Sequence, residues 1–367
     1  MIKLMVGCNY AQELIDGYID LNKKYAESGI QITEVYGSLG NDPIGCAREK
    51  DRLPSPFDIY DTISSISDKC RRHNIELNYT INKSCLGSTE DFQKYDYDNF
   101  IRFLDFLRGA GIKRVTVAHP LLMEIVQKEN DLHANQSQIG IEVSTIYHLY
   151  STRQLIFLKR NFPSINKLCA NLMTNRDMSF LRTLFSECKK HEIDLELMAN
   201  EACLFGCHNR MFHYNMQSHT KKHKRLFGNW PISYCTKLHH TIPAEWLKAR
   251  LIRPEDMKNY QSHIGIENFK ITGRTHTTED QLRIVEIYMK QSHEGNLLDI
   301  FPHFKKIYDK NASAPPIFID NKKLENFLDF WFNHPEFRCS EHCEVDCVLC
   351  ENMIHAVGKV NGAVNGK

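Results

Sequence analysis

The chain has 367 residues, 42% hydrophobic and 25% charged, with 46 lysines and arginines against 45 aspartates and glutamates. That composition excludes a collagen, a mucin stalk or a mostly disordered chain, and a net charge of +1 excludes coating of nucleic acid by bulk electrostatics. No run approaches the roughly 18 apolar residues of a spanning helix, and residues 1–10 hold only a short apolar stretch with Lys3 inside it. The sequence therefore reads as cytoplasmic, without a signal peptide or membrane insertion.

In chain order, apolar strand-like runs fall at 2–6, 32–37, 75–81, 114–118, 139–143, 167–172, 195–199 and 269–272. Helical spacing appears between them at 18–27, 99–109, 153–160, 179–190 and 279–290, with Gly29 and Gly109 as stop signals and Asp177 and Thr278 as start signals. Eight strands alternating with helices predict a (β/α)8 TIM-like barrel, with an open doubly wound sheet as the rival. No G-x-G-x-x-G turn follows the first run, which removes the usual support for a dinucleotide-binding half.

Two segments break the pattern. About 65 residues, 201–267, separate the seventh and eighth runs, and this Cys/His-rich insertion is far longer than an ordinary βα connection. Beyond the barrel (1–300), residues 302–316 read as a linker. A short helix at 322–332 leads into a Cys-rich extension (301–351), and 352–367 reads as a disordered tail.

Alternation along the strands places Glu76, Asn78 and Thr80, then Gly140, Glu142 and Ser144, then Lys270 and Thr272, toward the lumen. Barrel interiors are normally filled by branched apolar residues, so these groups predict a polar mouth, provided the alternation is not shifted by one residue. Asn200 and Glu201 end the seventh run. Lys270 and Arg274 flank Thr272-Gly273 where barrels often bind phosphate or carboxylate, and a fixed guanidinium suits a carboxylate; a surface salt bridge is the plainer alternative for Arg274.

Thirteen cysteines without a secretion signal point to metal or catalytic roles rather than disulfides. Seven fall into two groups. The terminal one, Cys339-x3-Cys343-x3-Cys347-x2-Cys350, places four thiols within twelve residues, a spacing that wraps zinc or a [4Fe–4S] cluster. The inner one, Cys203, Cys207 and Cys235, begins just after the seventh strand and so hangs over the mouth. Its fourth ligand is not evident. Cys46, after the second strand, is the candidate, a terminal thiol or substrate are others, and Cys8 is a weaker one. Cys70, Cys85, Cys169 and Cys188 read as ordinary thiols. Cys203-x3-Cys207-x11-His219-x3-His223 approximates a zinc finger whose basic stretch 221–225 would meet nucleic acid, although a finger is a self-contained unit and this segment is anchored in a barrel.

The run 195–213 (LELMANEACLFGCHNRMFH), the later Cys235 and the run 269–274 (FKITGR) together resemble the collagenase-like peptidase family U-32. Despite its name, that family contains iron–sulfur proteins implicated in oxygen-independent hydroxylation of RNA bases or the ubiquinone ring, some with prephenate as hydroxyl donor. The resemblance implies Cys203, Cys207 and Cys235 as cluster ligands; the sequence departs from the longer family signature and looks like a Cys-x3-Cys branch. On this reading the chain is an oxygen-independent, hydroxylase-type oxidoreductase with one or two [4Fe–4S] clusters and zinc as the alternative metal. Asn200, Glu201, Glu142 and Lys270 would position substrate and move protons while Arg274 grips a carboxylate. Expected partners are a small-molecule, RNA or peptide substrate and a homologous chain. A peptidase is the runner-up, without an H-E-x-x-H or G-x-S-x-G motif, and a zinc-stabilised RNA-binding module the third reading.

Overall fold

The computed structural model describes residues 1–40, 42–46, 58–87, 92, 94–219, 230–301 and 317–360. Eight parallel strands form a closed ring: β1 (Ile2–Gly7), β2 (Ile30–Gly37), β3 (Glu76–Ile81), β4 (Arg114–Val117), β5 (Gly140–Val143), β6 (Ile165–Cys169), β7 (Asp194–Met198) and β8 (Asn268–Ile271), with β8 paired back to β1. Closure makes this a (β/α)8 TIM barrel and removes the open-sheet alternative. The sixth strand lies two residues or more before its sequence position of 167–172, so that Lys167 sits inside it.

The outer layer begins with α1 (Gln12–Lys24), α2 (Asp58–Arg72), α3 (Lys94–Gly109), α4 (Pro120–Leu132), α5 (Thr152–Asn161) and α6 (Met178–Lys190). Their local logic is ordinary. In α1, Leu14, Ile15, Tyr18, Ile19 and Leu21 are buried at helical spacing. A capping box of Ser151 and Gln154 starts α5, and the Asp177 carboxylate starts α6 by accepting from the Phe180 N–H. The insertion folds as α7 (Arg210–Gln217), α8 (Trp230–Thr241), α9 (Ala244–Lys248) and α10 (Met257–Ile264), and α11 (Thr278–Lys290) closes the ring. No described residue of the insertion is in a strand, so the ββα unit of a zinc finger is not formed; His223 and 221–225 lie outside the described residues.

The C-terminal extension departs from the sequence reading in two places. The expected helix at 322–332 is broken: a single turn at Lys322–Leu324 is separated from α12 (Asp329–Asn333) by Asn326 at φ 63°, a left-handed residue that ends one turn before the next begins. Residues from 352 onward continue α14 (Leu349–Val357), and β10 (Gly358–Val360) pairs antiparallel with β9 (Ile317–Ile319), so this part of the expected tail is ordered secondary structure. The sequence-predicted linker 302–316 and residues 361–367 lie outside the described residues. Ile354 and Val357 of α14, Trp331, Phe332 and Phe327 join the hydrophobic core that the barrel helices build, which fixes the extension to the barrel.

Inside the ring, apolar residues face outward and charges face the lumen, as alternation predicts. Leu77, Tyr79 and Ile81 of β3 pack outside while Asn78 and Thr80 point in; Phe269 and Ile271 flank an inward Lys270. The lumen also receives three charged groups that the sequence reading did not single out: Glu34, Lys167 and Glu196. Lys167 Nζ lies 2.9 Å from Glu34 and 2.8 Å from Glu196, and Lys270 Nζ lies 2.6 Å from Glu142 and 2.9 Å from Glu196. Arg114 reaches Glu34 at 3.1 Å from below. The Asn78 amide donates to both Glu34 (3.1 Å) and Glu142 (2.6 Å), and Thr116 donates to Asn78. Three carboxylates thus meet three cations in a nearly dry space, which is the condition under which buried charge is tolerable. The three carboxylates approach one another closely enough to hold a metal, but two ammonium groups already occupy that role.

Removing one cation from this set leaves carboxylates buried without compensation. Lys167→Met should lower unfolding stability by about 3–5 kcal/mol in urea titrations. Lys23→Ala, which breaks an ion pair lying in water, should leave the urea midpoint unchanged.

Candidate active site and thiol centre

The carboxyl ends of the strands open into a small cavity of about 70 Å³ lined, among others, by Tyr36, Glu142, Glu201, Lys270, Thr272 and Arg274. The charge network forms its floor. Lys270 is the junction: it bonds Glu142 and Glu196 and its ammonium lies 4.4 Å over the Tyr36 ring. Burial would push the Glu142 carboxyl up, but Lys270 and Lys167 override it and hold the group down at about 2. Glu196 moves the other way, raised by burial and by the charge of Glu142. Two neighbouring carboxylates are therefore pushed apart, one kept ionised and the other more ready to take a proton, the usual arrangement of a paired base and acid.

Arg274 enters the cavity from the turn after β8. Gly273 before it has φ 138°, a conformation that favours glycine, and Gly7 lets β1 pass so close that an added Cβ would stand 2.6 Å from the Arg274 backbone nitrogen. The guanidinium is only 7% exposed and donates to Ser38 Oγ at 3.2 Å. It makes no ion pair with a carboxylate among the described residues, so the surface salt bridge is not its role.

Four of the five residues expected to do chemistry, Glu142, Glu201, Lys270 and Arg274, line this cavity. Asn200 does not. Its amide donates to the Ile300 carbonyl, and its oxygen accepts from the Thr272 N–H and hydroxyl. Asn200 ties the end of β7 to the end of β8 and is a positioning residue.

The insertion roofs the mouth. Tyr214 and Gln217 of α7 line the cavity, and the Ser84 hydroxyl donates to Asn215 while Ser218 accepts from the Ser84 N–H, fastening α7 to the loop after β3. At the edge of this roof the structure gathers the inner thiols. Burial first, then the neighbouring Cys203 and Cys207 thiols, push Cys235 up to about 12. Cys203 is also raised by burial, against the pull of the Arg210 guanidinium beside it. Arg210 is 6% exposed, its Nε and Nη2 have no hydrogen-bond partner, and no carboxylate pairs with it among the described residues. His239, one helical turn beyond Cys235, bonds the Ala202 carbonyl at 2.9 Å and stacks on Trp246, which locks α8 against the Cys203 loop. The sequence offers His239, like His208, His213 and His240, as a cluster ligand, substrate contact or surface group; the structure gives it a carbonyl and a ring instead, and the sequence gave no sign of Arg210.

Cys46 is buried on another side of the mouth, where it, Cys8, Asp42 and Arg274 act on the Tyr10 hydroxyl. Cys70, Cys169 and Cys188 are buried and Cys85 half-buried, the positions of ordinary thiols. A buried guanidinium with orphaned donors beside Cys203 and Cys207 fits a group that turns the thiols into thiolates; neutral thiols would leave Arg210 without a counter-charge among the described residues.

No family model matches the chain. It is 25% identical over 299 residues to an uncharacterized protease of Methanocaldococcus jannaschii, covering 79% of each chain. Among solved structures, a U32 peptidase aligns at 13% identity and a TM-score of 0.44, over 62% of this chain and 83% of that one. D-psicose 3-epimerase from Clostridium cellulolyticum aligns at 10% identity and a TM-score of 0.39, over 86% and 99%. No helix among the described residues is long and apolar enough to cross a membrane.

The Glu142 geometry sets an acid limit. In the folded chain this carboxyl stays ionised down to about pH 2, whereas the unfolded chain takes up the proton near its ordinary value of 4.5. Stability from Glu142 is therefore complete above pH 4.5 and is lost as pH falls toward 2. Urea midpoints measured from pH 6 to 2 should drop across that interval; a flat profile there would contradict the assignment.

Proposed function

We propose, from its relationship to the U-32 peptidase family, that this chain is an oxygen-independent modifying enzyme. An iron–sulfur centre on Cys203, Cys207 and Cys235 would stand beside an anion-binding cavity. The observation that carries this reading is the meeting, at one barrel mouth, of three neighbouring thiols with two buried guanidiniums, Arg210 and Arg274, neither of which has a carboxylate ion pair among the described residues. The centre would rest on these three thiolates, with Cys46, a terminal thiol or substrate as its fourth ligand. A cluster so held would supply one-electron redox or Lewis-acid chemistry at the edge of the cavity.

The chain's own residues do the rest. Arg274 binds a substrate carboxylate in a charge-assisted pair, its position fixed by Ser38 and by the tight β1–β8 approach. Lys270 donates hydrogen bonds from the floor, with Glu142 held ionised beneath it. Glu201, on the rim and close enough to act on Cys203, takes up or returns a proton next to the thiol centre. Tyr214 and Gln217 cover the cavity and limit water.

A substrate with a carboxylate suits this cavity: a small organic acid, or a quinone precursor bearing one. The relative's name points to proteolysis, but the thiol lining the cavity, Cys169, is buried and held protonated beside Glu196, the opposite of an activated nucleophile.

The test is direct. The full chain, purified without oxygen and supplied with iron and sulfide, is incubated with small carboxylic acids, bulk RNA and peptides in the presence of a hydroxylated organic acid as oxygen donor, and products are weighed. A carboxylic acid should exchange one C–H for C–OH while the donor exchanges C–OH for C–H, which takes up the two electrons, and Cys203→Ser/Cys207→Ser should abolish both changes. Arg274→Gln should raise KM about 10- to 100-fold with a smaller effect on kcat. Peptide cleavage by metal-free protein would overturn the proposal.

A further inference from the structure

The four terminal cysteines lie on α13 (Cys339–His342), the turn after it, and α14. Two arginines of the barrel are pressed against them. Arg176, between β6 and α6, is 2% exposed and clasped between the rings of Phe327 (4.9 Å) and Trp331 (4.8 Å). Its Nη1 donates to Cys350 Sγ at 3.7 Å, and its Nε has no partner. Arg250, in the insertion, is 3% exposed, lies 3.7 Å over the Phe205 ring, donates Nη1 to the Met173 carbonyl and leaves Nη2 without a partner. Cys339 and Cys343 both act on it electrostatically.

Neither guanidinium makes an ion pair with a carboxylate among the described residues. Asp177 acts on Arg250 from beyond ion-pair distance, and its carboxylate caps α6. The nearby Lys248 shows what a satisfied cation looks like here: Glu245 at 3.2 Å, Glu351 at 2.5 Å and Glu344 all surround it. Arg253 likewise holds Asp256 at 2.6 Å.

A guanidinium cannot shed its proton, so two of them buried side by side demand two negative charges. Four neutral thiols supply none. Four thiolates around a doubly positive core, whether a zinc ion or a [4Fe–4S] cluster in its oxidised state, carry a net charge of minus two. Both cores give the same charge, so the two arginines fit either one and metal content separates them.

We propose that Cys339, Cys343, Cys347 and Cys350 hold a dianionic tetrathiolate metal centre, with zinc or a [4Fe–4S] cluster at its core, whose charge is neutralised by Arg176 and Arg250. The site is independent of the mouth, because it shares no ligand with Cys203, Cys207 or Cys235. Its counter-ions belong to the barrel and its insertion and its ligands to the extension, so the centre would pin one to the other. Trp331 Nε1, which donates to Cys339 Sγ at 3.0 Å, would join Arg176 in stabilising thiolate charge and, with a cluster at the core, would raise its potential.

Iron, acid-labile sulfide and zinc are counted per full-length chain after anaerobic reconstitution, alongside the electron paramagnetic resonance spectrum and midpoint potential of the reduced protein. Cys343→Ser/Cys347→Ser should lose one zinc or four irons relative to the unsubstituted chain, whereas Cys203→Ser/Cys207→Ser should keep the terminal metal, so failure of the mouth centre is read separately. Arg176→Met/Arg250→Met should lose the terminal metal, release it more readily to a chelator or, with a cluster there, lower its midpoint, and Arg176→Lys should restore part of the effect; if the double variant does not fold, the two single variants decide by the same readouts. A quartet that binds neither zinc nor iron overturns the proposal, as does a terminal metal whose retention and midpoint are indifferent to both arginines.

Discussion

Buried positive charge must meet negative charge, and this one constraint organises the molecule from the barrel floor to its last helix. In the lumen the partners are carboxylates. Lys167, Lys270 and Arg114 face Glu34, Glu142 and Glu196, so a space that most barrels fill with branched apolar side chains is filled here by a neutral ionic lattice. Such a lattice gives up some stability relative to an apolar filling of equal volume. In return it delivers fixed charges to the floor of the cavity, where a substrate would meet Lys270 and Glu142.

Above the floor three buried arginines have no carboxylate ion pair among the described residues, and cysteines stand beside them. Arg210 faces the inner thiols; Arg176 and Arg250 face the terminal ones. Arg250 also lies against Phe205, within the loop that carries Cys203 and Cys207. The insertion after β7 and the C-terminal extension are thus joined through one side chain, and both are built over the face of the barrel where chemistry belongs.

Much of this was legible in the sequence because strands and lumen obey a period of two. The eight strands fell where apolar runs stood, and the alternation in β3, β5 and β8 placed Asn78, Glu142 and Lys270 inside. Glu34, Lys167 and Glu196 obey the same rule in β2, β6 and β7, and the same alternation applied to those three runs places them inside. Helix α4 escaped because residues on several of its faces are buried, Leu122, Met123, Ile125, Val126 and Asn130 among them, which blurs amphipathic spacing. The helix expected at 322–332 failed at Asn326, whose left-handed backbone is set by tertiary packing. Arg176, Arg210 and Arg250 were invisible for a deeper reason. An arginine reads as a surface residue until the fold shows it buried and unpaired.

Thermal unfolding of Arg250→Met, with and without metal, bears most directly on that unpaired charge. In metal-free protein the substitution removes a cation that nothing balances, so the melting temperature should rise. After anaerobic loading with zinc or with iron and sulfide, whichever the quartet retains, the same substitution would strip a counter-ion from the terminal centre, and the melting temperature should fall below that of the unsubstituted chain. A change of the same sign in both states would contradict the account.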